Sequence, residues 1–207
     1  MVSSDRGVLL RRAVHLEMLT IGWMMVEAVV GITIGWLATS IALVAFGLDS
    51  VIELISGSVL FYRLRAESRG VGEVATEDLE QRALQVVGAT FLLLAAYAFY
   101  ESATIILGPE LPQASYVGIA LALVALIAMP LLGVAKRRVG LKLGSHALVA
   151  DAKEAFVCAY LSFTLLLGLC LNALFGWWWA DPVAALVMVP FLIREGWAAI
   201  AEARDSS

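Results

Sequence analysis

Six acidic side chains fall inside stretches of sequence too apolar to hydrate them. Glu27 lies near the middle of the first long apolar run, Asp49 and Glu53 in the middle of the second, Glu101 late in the third, and Asp151 and Glu154 in the fifth. An ionised side chain at mid-bilayer costs at least about 2.5 kcal/mol on insertion scales, so each of these needs a partner or a use. Asp49 and Glu53 are four residues apart, and on a helix they emerge from one face, one turn apart. Glu154 and Cys158 repeat that spacing. Like carboxylates at close range repel each other unless they share a cation or a proton. Four donors from two facing helices could surround a divalent ion tetrahedrally, with Cys158 as thiolate and carboxylate oxygens completing the shell, the coordination that suits zinc. Ligands must shed protons to take up metal, so ion uptake and proton release are coupled by chemistry alone.

A plainer reading competes with this one. Lys153, the base inside a span, could neutralise one acid while the others stay protonated and hydrogen-bonded between helices. Lys153 is next to Glu154 in the chain, however, and so points about 100° away around a helix. Asp151 shares the Glu154 face, three residues earlier, and either belongs to the site or lines its cytoplasmic approach; Glu27 is a further accessory candidate. A lone membrane cysteine is as much a packing residue as a ligand, which leaves two readings for Cys158 and favours packing for Cys170. His15 and His146, at the cytoplasmic ends of their spans, read as interface residues.

These side chains need helices to hold them. The chain has 207 residues, 61 % hydrophobic and only 15 % charged, and a mean hydropathy of +0.90, a composition for lipid rather than water. Apolar windows bounded by charge or turn residues predict six spans, at 16–37, 41–62, 84–107, 117–135, 147–169 and 182–199. The joints differ: Ala38-Thr39-Ser40 reads as a tight turn, residues 108–112 as a breaker-rich loop, and Trp177-Trp178-Trp179 as an interfacial aromatic cluster. The expected fold is an all-α membrane protein, a six-transmembrane-helix bundle forming one domain over residues 1–207. The chain ends a few residues after the sixth window, so no cytosolic domain is expected.

Lys and Arg resist translocation, and their placement orients the bundle. Thirteen of the fourteen basic residues fall at the N-terminus (Arg6, Arg11, Arg12), after the second span (Arg63, Arg65, Arg69, Arg82), after the fourth (Lys136, Arg137, Arg138, Lys142) or near the C-terminus (Arg194, Arg204). Both termini are therefore expected in the cytoplasm, with the cell (inner) membrane as the location.

Several function classes fall away. A net charge of −4 is the wrong sign for nucleic-acid binding. Two cysteines in one apolar stretch make neither a disulfide framework nor a zinc ribbon, and the first apolar run contains Glu17 and Glu27 and lacks a signal-peptidase site. No HExxH, Gly-x-Ser-x-Gly or intramembrane aspartyl pair is present, so an enzyme is not expected.

The residues also resemble a known family. The stretch EAVVGITIGWLATSIALVAFGLDSVIE, Glu27 to Glu53, resembles the first two helices of the cation diffusion facilitators. SHALVADAKEAFVC, Ser145 to Cys158, resembles their fifth; Asp181-Pro182-Val183-Ala184 with Gly196-Trp197 resembles their sixth; Tyr100-Glu101-Ser102 resembles the end of their third. The resemblance implies export of a divalent cation, commonly zinc, in exchange for protons by alternating access, usually as a homodimer. Carried over by position, it implies metal ligation by Asp49, Glu53, Glu154 and Cys158. Where the family has histidine and aspartate on the fifth helix, this chain has glutamate and cysteine, and the usual cytosolic sensing domain has no counterpart. The metal is thus expected as substrate rather than permanent cofactor, zinc first, with iron, manganese, cobalt and cadmium as the other candidates. A transport-deficient accessory or metal-sensing protein of the same fold is the alternative, motivated by Lys153.

Overall fold

A computed structural model describes residues 2–68, 77–108 and 112–205. It contains six helices: α1 (Val2–Leu37), α2 (Ile41–Ser68), α3 (Glu77–Leu107), α4 (Tyr116–Leu143), α5 (His146–Phe175) and α6 (Ala180–Asp205). All six are long and apolar enough to cross a membrane. In hydrocarbon every backbone N–H and C=O must be satisfied within the segment, and that requirement selects helices for such sequences. The helices outrun the expected windows, most visibly α1 and α3 at their starts and α4 at its end. Hydrogen bonding continues into the headgroup layer, where charged side chains are solvated and hydropathy no longer marks the boundary.

Local chemistry sets the turns. Ser40 caps α2, its Oγ accepting from Leu43 N–H at 3.2 Å, and Thr39 takes the left-handed conformation that reverses the chain before it. Ser115 and Ser145 cap α4 and α5 in the same way. Gly144 ends α4 at φ 70°, a conformation glycine adopts without a Cβ penalty, so α5 begins two residues later.

Three pairs pack most extensively, α1 with α2, α4 with α5, and α3 with α6. The first two pairs join through α1–α4 and α2–α5 into a four-helix group, and the α3–α6 pair lies against α2 and α5. With no hydrophobic drive between helices in lipid, close approach of small residues carries the packing. At the α1–α2 crossing a Cβ on Gly47 would come within 2.6 Å of Ile32 N, and at the α3–α6 crossing a Cβ on Gly196 would come within 2.9 Å of Gly88 O. The main apolar core runs through all six helices and includes Phe46, Ala122, Met129, Cys158, Leu165 and Met188. Asp181, at the head of α6, is fully buried; it accepts from Ser40 Oγ at 2.5 Å and from Ala42 N–H at 3.4 Å. The sixth helix is thereby tied to the start of the second, which carries Asp49 and Glu53.

Candidate metal centre

Asp49 and Glu53 lie roughly 12 and 18 Å along α2 from Ile41, near the middle of a hydrocarbon layer of about 30 Å. Both are buried, at 2 % and 5 % exposure, and both face Cys158 on α5. One ligand atom from each of the three falls within 4.8 Å of the other two. Tetrahedral zinc bonds of about 2.0–2.3 Å put ligand atoms about 3.3–3.8 Å apart, so a contraction of about 1 Å closes the three around an ion. The Cys158 thiol stands beside the Glu53 carboxyl, while Asp49 Oδ2 and Glu53 Oε2 are buried without a partner. A buried carboxylate oxygen with nothing to accept from is costly, and a cation at this point relieves two of them together.

Glu154 does not join that three-residue cluster. It is half-buried and lines an adjoining cavity of about 70 Å³ together with Asp49, Glu53, Phe91, Phe191 and Glu195, room for several waters. Its lining carries four carboxylates and no Lys, Arg or His. Glu195 was not singled out from sequence, although it falls inside the last window. A signal was there: Glu195 lies fourteen residues after Asp181, close to four turns, and so shares the inward face of α6.

Glu27 sits beside this group on α1. Its carboxylate accepts from Trp23 Nε1 at 2.6 Å and from Ser50 Oγ at 3.3 Å, so its oxygens already have protein donors. Glu101 accepts from its own helix neighbour, Thr104 Oγ1, at 3.4 Å.

Two expectations about basic residues are corrected. Lys153 is not a buried base: its side chain is exposed on the outside of α5, rotated off the Glu154 face by the 100° step of the helix. The charge that motivated a transport-deficient reading therefore points away from the carboxylates. The buried base is Lys136, expected in a cytoplasmic loop. It is 0 % exposed inside α4, with Nζ 2.5 Å from Asp151 Oδ2 and 2.9 Å from Glu17 Oε2, the latter off the ideal hydrogen-bond angle. Asp151 thus has Lys136 as its partner, and Glu17, also fully buried, was missed as a partner altogether. The signal for Lys136 was periodicity, since Gly118, Ala122, Ala125, Met129, Gly133, Lys136 and Gly140 follow one another every three or four residues along the buried face of α4. This triad joins α1, α4 and α5 one helical turn from Glu154. Arg69 lies outside the described residues, as do the side chains of Arg82, His146 and Arg204.

The helices, the charges buried between them and the cavity are those of a membrane-embedded carrier of cations. Residues 18–206 match the cation efflux transmembrane domain, and the chain belongs to that family, whose members are cation efflux transporters. It is an integral multi-pass membrane protein. No curated protein matches it.

Proposed function

We propose that this protein exports a divalent cation of the zinc type, held at mid-membrane between α2 and α5 and exchanged for protons as access alternates between the two sides. The observation that carries this reading is the convergence of Asp49, Glu53 and Cys158 within 4.8 Å, with two carboxylate oxygens left unpartnered deep in the bundle. Glu154, on the adjoining cavity wall, supplies the fourth donor when the helices close on the ion, with a water in that place until then. A thiolate in the set favours zinc and cadmium over manganese. Proton exchange follows from the ligands themselves, which must be deprotonated to bind and are protonated again on release. Both termini then face the cytoplasm, the side on which basic residues gather. Homodimer assembly and placement in the cell membrane, which the family resemblance implies, belong to the same reading.

The test is metal flux into proteoliposomes. Asp49→Ala and Glu53→Ala should each abolish zinc uptake while helical content and purification behaviour stay those of the parent. Undiminished flux in both variants would reject the site.

A further inference from the structure

The depth of the bundle can be counted from two helices independently. About 20 residues, or about 30 Å of hydrocarbon, measured back along α1 from Leu37 and forward along α4 from Tyr116, arrive at Glu17 and Lys136. These two side chains are 2.9 Å apart, so the two counts agree on one edge of the hydrocarbon. Beyond that edge, in the headgroup layer, Arg12 and His15 of α1 face Arg138 and Lys142 of α4 across a groove of about 510 Å³. Its floor is apolar, made by Leu9, Leu16, Ala135 and Val139. The four polar side chains on the rim are exposed.

Among the described residues no acidic side chain lines this groove. Two acids of α1 and α2 whose side chains are described are already engaged, Glu17 turned inward onto Lys136 and Glu67 held by Arg6 at 2.6 Å. Among the described residues Arg12, Arg138 and Lys142 make no ion pair. Three positive charges on facing helices are held together here at a cost in mutual repulsion, and an anion removes it. The surface below the groove says which anion: Leu19, Leu131 and Val134, exposed and apolar, continue from it along α1 and α4 into the hydrocarbon. A free phosphate has no use for that floor, whereas a phospholipid fills both parts.

We propose that the α1–α4 groove is a binding site for an anionic phospholipid. Its phosphate sits between Arg12, Arg138 and Lys142, the two guanidinium groups offering paired donors, and its acyl chains lie along Leu16, Val134 and Leu131. The site is independent of the metal centre, and its occupant rests on the charges and floor of the groove alone.

Native mass spectrometry of the purified, delipidated protein tests this, with phosphatidylglycerol, phosphatidylcholine and inorganic phosphate as parallel probes. Phosphatidylglycerol is expected to bind well ahead of phosphatidylcholine. Each basic residue near the surface is worth about fivefold in binding, so Arg12→Gln/Arg138→Gln should weaken the lipid about 25-fold. Arg11→Gln/Arg137→Gln removes the same charge from the same helices outside the groove and should change binding less than about twofold. An equal loss in both pairs would mean diffuse attraction to a basic surface and would overturn the site. Equal binding of phosphatidylcholine, or displacement of the lipid by inorganic phosphate at matching concentration, would overturn it as well. Helical content measured on every variant separates loss of binding from loss of fold.

Discussion

Replacing Lys136 by methionine isolates the worth of the buried triad. The substitution keeps all but the last atom of the side chain's length and removes the charge that Glu17 and Asp151 share. At the observed separations of 2.9 and 2.5 Å, each attraction is worth about 6 kcal/mol at an effective dielectric constant near 20, most of it offset by the desolvation of the three groups. What remains after the lysine is gone is the penalty for two unpaired acids in a dry site, about 3–5 kcal/mol. Asp151 retains little solvent contact and Glu17 none, so neither can recover its hydration without opening the α1–α4 seam. The charge-free variant Glu17→Gln/Lys136→Met/Asp151→Asn takes away the penalty together with the pair and should return to within about 1.5 kcal/mol of the parent. Unfolding in mixed detergent–denaturant solution, followed by circular dichroism, measures all three proteins. A Lys136→Met protein within 1 kcal/mol of the parent, or a triple variant as unstable as the single one, would refute the argument that pairing rather than packing governs this position.

Other expectations concern the crossings, the caps and the ion. Gly47→Ala should cost about 1–3 kcal/mol in the same assay, because its Cβ would meet backbone atoms of Gly31 and Ile32 that cannot step aside; a neutral outcome would mean the α1–α2 crossing is looser than it is drawn. Asp181→Ala leaves Ser40 Oγ and Ala42 N–H without their acceptor in a fully buried setting. A loss of about 1–3 kcal/mol is expected there, with Asp181→Asn recovering part of it. Cys158→Ser should lower affinity for cadmium more than for manganese when the two are compared by calorimetry, and an unchanged order of preference would remove the thiolate from the ligand set. Zinc affinity of the parent should rise with pH, since the donors must lose protons to bind; a flat profile would break the link between metal and proton exchange.

Much of the architecture is legible without coordinates, and the reasons are local. The cost of burying backbone in lipid makes each apolar window a helix, and the Ala38-Thr39-Ser40 turn marks the joint between the first two. The i, i+4 pairs Asp49/Glu53 and Glu154/Cys158 are visible as one-face constellations because helix geometry is regular. Two of the four expected donors lie on α2, and both stand on the face turned to Cys158 of α5. On α5 the same rule fits Cys158 better than Glu154, which lines the adjoining cavity instead of meeting the other three. A rotation of a few tens of degrees about the helix axis decides between those positions, and nothing within α5 sets it.

The sequence by itself therefore determined the number of helices able to cross a membrane, the gathering of basic residues at the chain ends and alternate joints, and the existence of acids that lipid cannot solvate. Hydropathy, charge and helical periodicity are properties of a single segment, and a single segment suffices to state them. Only the tertiary structure decided which charges meet. It turned Lys153 outward, drew Lys136 inward between Glu17 and Asp151, and brought Glu195 of α6 to the cavity of Asp49 and Glu53. Those outcomes depend on how six helices rotate and cross to bury small residues against one another, and a sequence read one helix at a time contains no term for that.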